Sequence, residues 1–206
     1  MKKLLFASFL LTLCYFNSYA QNKDSINVNK NEKNITLSAE GSAYVGNSYG
    51  ITFESVQKKN KYLPKTTQSS VIKVYYITST LESDNPFLRN IDGNGFGLEF
   101  GSRTYLNEKT NKGIFIGGHI GSGSITYENN DAVLGSSEPV KFDGTYRYLT
   151  FFAPEVGYKF LIAQKVAVSL HVGTAWLIEV KGKGDVDNKN FDNWVGRAGL
   201  SIGYKF

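Results

Sequence analysis

The chain has two histidines, His119 and His171, and these are the residues from which acid–base chemistry would have to start. An enzyme that cuts or transfers acyl groups needs a nucleophile, a base and an orienting acid within mutual reach. Ser122, Ser169 and Glu179 are the partners that the histidines could recruit. A hydrogen-bonded histidine inside a polar interior accounts for both positions more simply. We therefore expect no catalytic residue and no enzyme, with a lipid-modifying activity as the alternative that would use His171.

Oxygen ligands are plentiful in two other stretches. One carries Asp84, Asn90, Asp92 and Asn94, and the other carries Asp185, Asp187, Asn188, Asn190 and Asp192. Such spacing can hold calcium, but neither stretch closes with the bidentate Glu that a ligand loop requires. Turn-forming polar residues in solvated loops explain both, so no metal and no cofactor is expected. The single cysteine, Cys14, follows Leu13, where a lipoprotein signal would need a small residue, so neither lipidation nor a disulfide is expected.

The elements that would position these residues begin after an export signal. Lys2 and Lys3 precede the apolar run Leu4 to Phe16, and Asn17-Ser18-Tyr19-Ala20 supplies the small residues of a cleavage site. Residues 1–20 read as a cleaved signal peptide, 21–33 as an N-terminal periplasmic segment, and 34–206 as the folded domain. The apolar run falls short of the roughly 20 residues of a membrane-spanning helix. Nothing after Ala20 reaches that length either, so any spanning must be done by strands.

Composition agrees with strands. The chain of 206 residues holds 13 Tyr, 14 Phe and only 4 Pro, a balance that suits pleated, half-buried surfaces. Its formal charge of +5 includes Lys2 and Lys3, with the remaining charges scattered rather than blocked. Nucleic acid is not an expected partner.

Apolar and polar residues alternate with period two through eight segments of about the ten residues that a tilted transmembrane strand needs. Trp194 to Phe206 is the clearest: Trp194, Ala198, Leu200, Ile202, Tyr204 and Phe206 share one face, against Val195, Arg197, Ser201 and Lys205. Residues 166–180 repeat the pattern, with Leu170, Val172 and Trp176 against Ser169, His171 and Glu179. In 145–160, Tyr146, Tyr148, Thr150, Phe152, Val156, Tyr158 and Phe160 oppose Arg147, Phe151, Glu155 and Lys159. Segments 96–106, 71–81 and 113–127 place Glu99, Arg103, Lys73, Tyr75, Phe115 and His119 opposite aliphatic or aromatic faces. Two N-terminal segments set Ile35, Leu37, Ala39 and Val45 against Glu40, and Tyr49, Ile51 and Phe53 against Glu54, with a tight turn near Gly46-Asn47. Pro154 predicts a β-bulge or local break in its strand.

Alternation alone also fits a soluble lipocalin-like binder with its apolar face inward. A face this rich in aromatics opposite a set of charges favours the reverse orientation, lipid outside and ions inside. The expected lumen set is Glu40, Glu54, Glu99, Glu155 and Glu179 with Lys73, Arg103, Arg147, Lys159, Arg197 and Lys205. Charges in a confined space must pair. Glu99 and Arg103 lie about 13 Å apart along one strand, so their partners belong to other strands and a network that plugs the lumen is predicted. Tyr49, Phe96, Tyr146, Trp176 and Trp194 would form one interfacial girdle, and Tyr158, Phe160, Tyr204 and Phe206 the other.

The terminal run Ala198, Leu200, Ile202, Tyr204, Phe206 is similar to the signature that the outer-membrane barrel assembly machinery reads. On those residues the mature chain resembles the small OmpA/OmpX-type barrels, in a style like that of Bacteroidetes. The resemblance implies an all-β fold, an eight-stranded antiparallel up-and-down transmembrane barrel in the outer membrane of a Gram-negative bacterium, with outer-membrane lipid and the assembly machinery as partners. With both termini in the periplasm, 57–70, 106–112 and 161–165 are periplasmic, and 46–48, 82–95, 128–144 and 181–192 face outward. The expected role is non-enzymatic: supporting the envelope or presenting loops to an external partner, with narrow passage of small solutes or ions as the alternative.

Overall fold

A computed structural model describes residues 35–57, 65–81, 91–107, 111–129, 142–180, 183–184 and 192–206, all within the unit Asn34–Phe206. The expected signal peptide, the 21–33 segment and Cys14 lie outside the described residues, as do Asp84, Asn90, Asp185, Asp187, Asn188 and Asn190.

The strands are β1 (Ile35–Ala43), β2 (Asn47–Val56), β3 (Thr67–Leu81), β4 (Ile91–Tyr105), β5 (Gly113–Asn129), β6 (Phe142–Ile162), β7 (Val166–Glu179), β8 (Lys183–Gly184) and β9 (Trp194–Lys205). Every pairing is antiparallel. From β1 to β7 each strand pairs with the next, β7 pairs with β9, and β9 pairs with β1, which closes an eight-stranded barrel. The two-residue β8 pairs with Gly144 and Thr145 near the start of β6. Closure leaves no free edge around the ring, so the backbone polar groups are satisfied by the ladder itself.

The connections divide between two ends. At the turn end lie Gln57, Lys65, Thr66, Leu106, Asn107, Asn111, Lys112 and residues 163–165, together with Ile35 and Phe206, where the Phe206 amide donates to the Ile35 carbonyl at 2.8 Å. The β6–β7 hairpin is tight: Ala163 and Gln164 both have positive φ, 48° and 62°, and the Lys165 amide donates to the Ile162 carbonyl at 3.1 Å. This is the type I′ geometry whose twist matches flanking strands, built here without its usual Asn-Gly. At the loop end, the β1–β2 turn occupies residues 44–46 rather than Gly46-Asn47. Gly46 takes φ 130°, and a Cβ there would strike the Thr78 carbonyl.

Strands β3 to β6 span 15, 15, 17 and 21 residues, against 9 and 10 for β1 and β2. The β2–β3 ladder stops at Asn47 and Thr78, while β3–β4 continues to Leu81 and Ile91, and β5–β6 to Asn129 and Phe142. Along this extension the two faces exchange character. Ile77, Leu81, Ile91, Ile125, Tyr127 and Leu177 are buried within, whereas the outward positions include Thr80, Asp92, Asn94, Glu128 and Arg147. Val45, expected to point outward, turns in with the β1–β2 turn and joins this apolar cluster. Nearer the turn end the wall is apolar and the interior ionic.

One irregularity corrects the reading of β6. The register shifts between Thr150 and Phe152 against β7, and between His119 and Gly121 against β6. One extra residue reverses the phase of a period-two strand. Tyr146, Tyr148 and Thr150 are therefore buried inside, while Arg147 is exposed on the outside. Phe151 packs edge-on against the outward-facing Trp176 at 5.7 Å instead of pointing in. The irregularity lies upstream of Pro154, which pairs with Gly118 inside the continuous strand.

Candidate functional site

Four carboxylates and four cations meet inside the barrel, none with a side chain more than 7% exposed. Six strands, β1 to β4, β6 and β9, deliver these charges inward because the alternating neighbours, such as Val74, Leu98 and Val156, face out. Since the sum is neutral, pairing can be complete, and it is distributed rather than two by two.

Glu155 on β6 is the hub. Its Oε1 accepts from Arg103 Nε at 2.7 Å and lies 2.9 Å from His119 Nε2, and its Oε2 is 3.5 Å from Lys73 Nζ. Lys73 also donates to Glu40 at 3.1 Å, and Glu40 in turn accepts from Thr52 at 2.7 Å. His171 Nε2 sits 3.6 Å from Glu40 and 3.9 Å from Glu155.

Towards the turn end, Glu54 accepts from Lys159 at 2.9 Å, Tyr105 at 2.7 Å and Ser69 at 2.8 Å, with Arg103 Nη1 at 3.4 Å. Towards the loop end, Glu99 accepts from Arg197 Nη2 at 2.7 Å and from the Tyr75 hydroxyl at 3.1 Å. Arg103, Lys159 and Arg197 each also lie over a ring, those of Phe115, Tyr105 and Tyr44, at 4.5, 5.7 and 5.1 Å from the centroid. Ring faces are electron-rich, so these contacts add attraction where water is excluded.

Glycines make room for the large interior groups. A Cβ on Gly97 would overlap the Tyr75 ring, and one on Gly123 the Tyr148 ring. The Gly-rich run of β5 thus admits Tyr148 at Gly123 and Glu99 at Gly121.

Of the eleven expected lumen charges, Glu40, Glu54, Lys73, Glu99, Arg103, Glu155, Lys159 and Arg197 come together. Arg147 does not, because the β6 irregularity turns it outward. Glu179 and Lys205 have inward register but sit half-buried near opposite ends. Sequence reasoning missed the hydroxyl donors Ser69, Thr52 and Tyr105, for which alternation gives orientation but no partner.

The remaining expected residues are placed as follows. Tyr49, Phe96, Trp194, Tyr158, Phe160, Leu200, Ile202, Tyr204 and Phe206 are exposed on the outer wall, and Trp176 is half-buried there, stacked on Trp194 at 6.2 Å. Tyr146 leaves the girdle and lies 1% exposed inside, stacked on Tyr148. Ser122 faces outward, away from both histidines, and Ser169 shares a hydrogen bond with Ser201 at 3.1 Å. Among the described residues no group of His, Cys, Asp or Glu is arranged to hold a metal, and Asp92 accepts from Thr80 at 2.9 Å.

No protein-family model matches the chain, and no curated protein matches its sequence. Its fold is similar to that of a major outer membrane protein from Thermus thermophilus, with TM-score 0.51 and 13% identity over 84% of this chain and 99% of that one. Two further structures align with it. One is the N-terminal β-barrel domain of Pseudomonas aeruginosa OprF, with TM-score 0.40, 13% identity and coverage of 85% and 98%. The other is Ail, the attachment invasion locus protein of Yersinia pestis, in complex with the heparin analogue sucrose octasulfate, with TM-score 0.43, 14% identity and coverage of 85% and 98%. At these identities the likeness concerns the fold. The chain has the fold of a small eight-stranded outer-membrane β-barrel.

Proposed function

We propose that the protein is a non-enzymatic integral outer-membrane barrel of a Gram-negative bacterium, with residues 1–20 removed on export, 21–33 in the periplasm and 34–206 forming the barrel. Its lumen is filled by the ionic network, and its role is to support the envelope and present the loop end outside the cell. Leu200, Ile202, Tyr204 and Phe206 would be read by the barrel assembly machinery.

The observation that carries this reading is sidedness. Ile51, Val74, Phe100, Ile116, Val156, Leu170 and Ile202 stand exposed on the wall, while Glu99, Arg103 and Glu155 are at most 2% exposed within. A soluble barrel would hide the first set and hydrate the second, because apolar area is stabilised only away from water and ions only near it or paired. A membrane solvent reverses both preferences.

Fractionation tests the location: the full chain should pellet with outer membranes and run at different gel mobilities before and after boiling. Recovery from the supernatant after membranes are pelleted would overturn it. In planar bilayers no steady conductance is expected; a steady current that shifts in Arg103→Ala would replace the filled lumen by an ion path. Lipid turnover in mixed micelles, abolished by His171→Ala, would replace the non-enzymatic role.

A further inference from the structure

The turn end of the barrel carries lysines that the ionic network does not use. Lys65 stands before β3, Lys112 before β5, Lys165 in the β6–β7 turn and Lys205 at the end of β9. The first three are exposed and Lys205 is half-buried. Among the described residues none of the four has a carboxylate at ion-pair distance. Among the described residues the carboxylates on the strands near this end, Glu54 and Glu155, are buried and engaged by Lys159, Arg103 and Lys73. Lys165 and Lys205 are brought together by the ladder, the Lys205 amide donating to the Lys165 carbonyl at 2.7 Å.

Among the described side chains the opposite end has the opposite sign. Asp92, Glu128, Asp143 and Asp192 are exposed there, with Arg147 as the exposed cation among side chains described. Among the described side chains charge is therefore sorted along the barrel axis, and the basic pole directly borders the apolar wall. Lys112 lies two residues from exposed Ile114 and Lys165 precedes exposed Val166, while Lys205, of inward register, closes the lumen side of the same rim between exposed Tyr204 and Phe206.

We infer that this lysine rim is a binding surface for the headgroups of anionic phospholipids in the leaflet at the turn end of the barrel. The inference rests on the outer-membrane reading, which makes that leaflet the periplasmic one. The fit is chemical: like charges gathered with no carboxylate paired to them among the described residues raise the local potential, which a phosphate diester lowers. It is also positional. A lysine at the border of an apolar wall extends its methylenes along acyl chains and puts its ammonium at headgroup depth, where anionic surfaces attract it. Acidic wall polymers would meet the same charges but not the adjoining hydrocarbon belt.

The test uses the refolded full chain in vesicles of phosphatidylcholine doped with spin-labelled phosphatidylglycerol or spin-labelled phosphatidylcholine, reading the fraction of each label immobilised by the barrel. We expect phosphatidylglycerol to be favoured about threefold or more, in keeping with the attraction of surface lysines to anionic headgroups. The preference should be lost when Lys65, Lys112, Lys165 and Lys205 are all changed to Gln, and kept when all four are changed to Arg. Equal immobilisation of the two labels, or a preference that survives the Gln changes, would overturn it. So would lysine-dependent co-sedimentation with peptidoglycan sacculi in place of a lipid preference. A chain that inserts and closes without selectivity defeats this inference alone, whereas one that never inserts defeats the outer-membrane reading as well.

Discussion

Arg103 Nε donates to Glu155 Oε1 across 2.7 Å, joining β4 to β6 over the intervening β5, with both side chains at most 1% exposed. The backbone ladder cannot make this connection, since it links only adjacent strands. The bond is a strut through the lumen, and its neighbours His119, Lys73 and Glu54 tie it to the rest of the network.

Removing one end of that strut leaves a buried charge short of its partner. Arg103→Met should lower the stability of the refolded barrel by about 3–5 kcal/mol. Adding Glu155→Gln should recover part of the loss, with a coupling energy of about 0.5–3 kcal/mol. Urea titrations in lipid vesicles, run as a double-mutant cycle, measure both quantities.

The glycines under the interior tyrosines predict a steric effect. Gly97→Ala and Gly123→Ala put a methyl where the Tyr75 and Tyr148 rings lie, so each should cost about 1–3 kcal/mol by overpacking. Gly196→Ala, where a Cβ meets nothing within 4 Å, is the control and should be nearly silent in the same titration.

The β6–β7 turn offers the opposite sign. Gln164 holds φ 62°, a conformation that costs a side-chain-bearing residue about 1–2 kcal/mol. Gln164→Gly should therefore stabilise the barrel by about 0.5–1 kcal/mol, net of glycine's larger unfolded-state entropy. A shift of the urea midpoint to higher concentration, with unchanged slope, is the expected result.

Wall sidedness can be read by placing a charge on it. Leu170→Arg, at an outward position 51% exposed, should cost about 2–4 kcal/mol in vesicles if that position meets hydrocarbon. Glu128→Arg, on the extension beyond the apolar belt, should change stability by no more than about 0.5 kcal/mol. Similar costs at the two positions would contradict the proposed depth of the belt.

Alternation along each strand was enough to set which side chains share a face, because successive Cβ atoms of a pleated strand point to opposite sides. From β1 to β5, and again in β7 and β9, the inward charges and outward aliphatics stand where period two puts them, as with Lys73 beside Val74 and Arg197 beside Ala198. Three outcomes needed the tertiary structure. The irregularity at Thr150–Phe152 has no sequence mark as plain as Pro154, yet it inverts Tyr146 and Arg147, because one inserted residue reverses phase for everything before it. The exchange of apolar and polar faces along the extension of β3 to β6 arises because those strands outrun β1 and β2, and strand lengths relative to one another are set by register around the closed ring.

The partners within the lumen are the third. Residue type and parity send Glu54 and Lys159 to the same interior, but 105 positions separate them in the chain. Only closure, with β1 bound to β9, brings β2 and β6 face to face across a space narrow enough for 2.9 Å contact. The sequence by itself determined the strand periodicity and its two faces, which are local consequences of backbone geometry. Which charge meets which was decided by the ring, because that depends on distances that exist only once the sheet has closed.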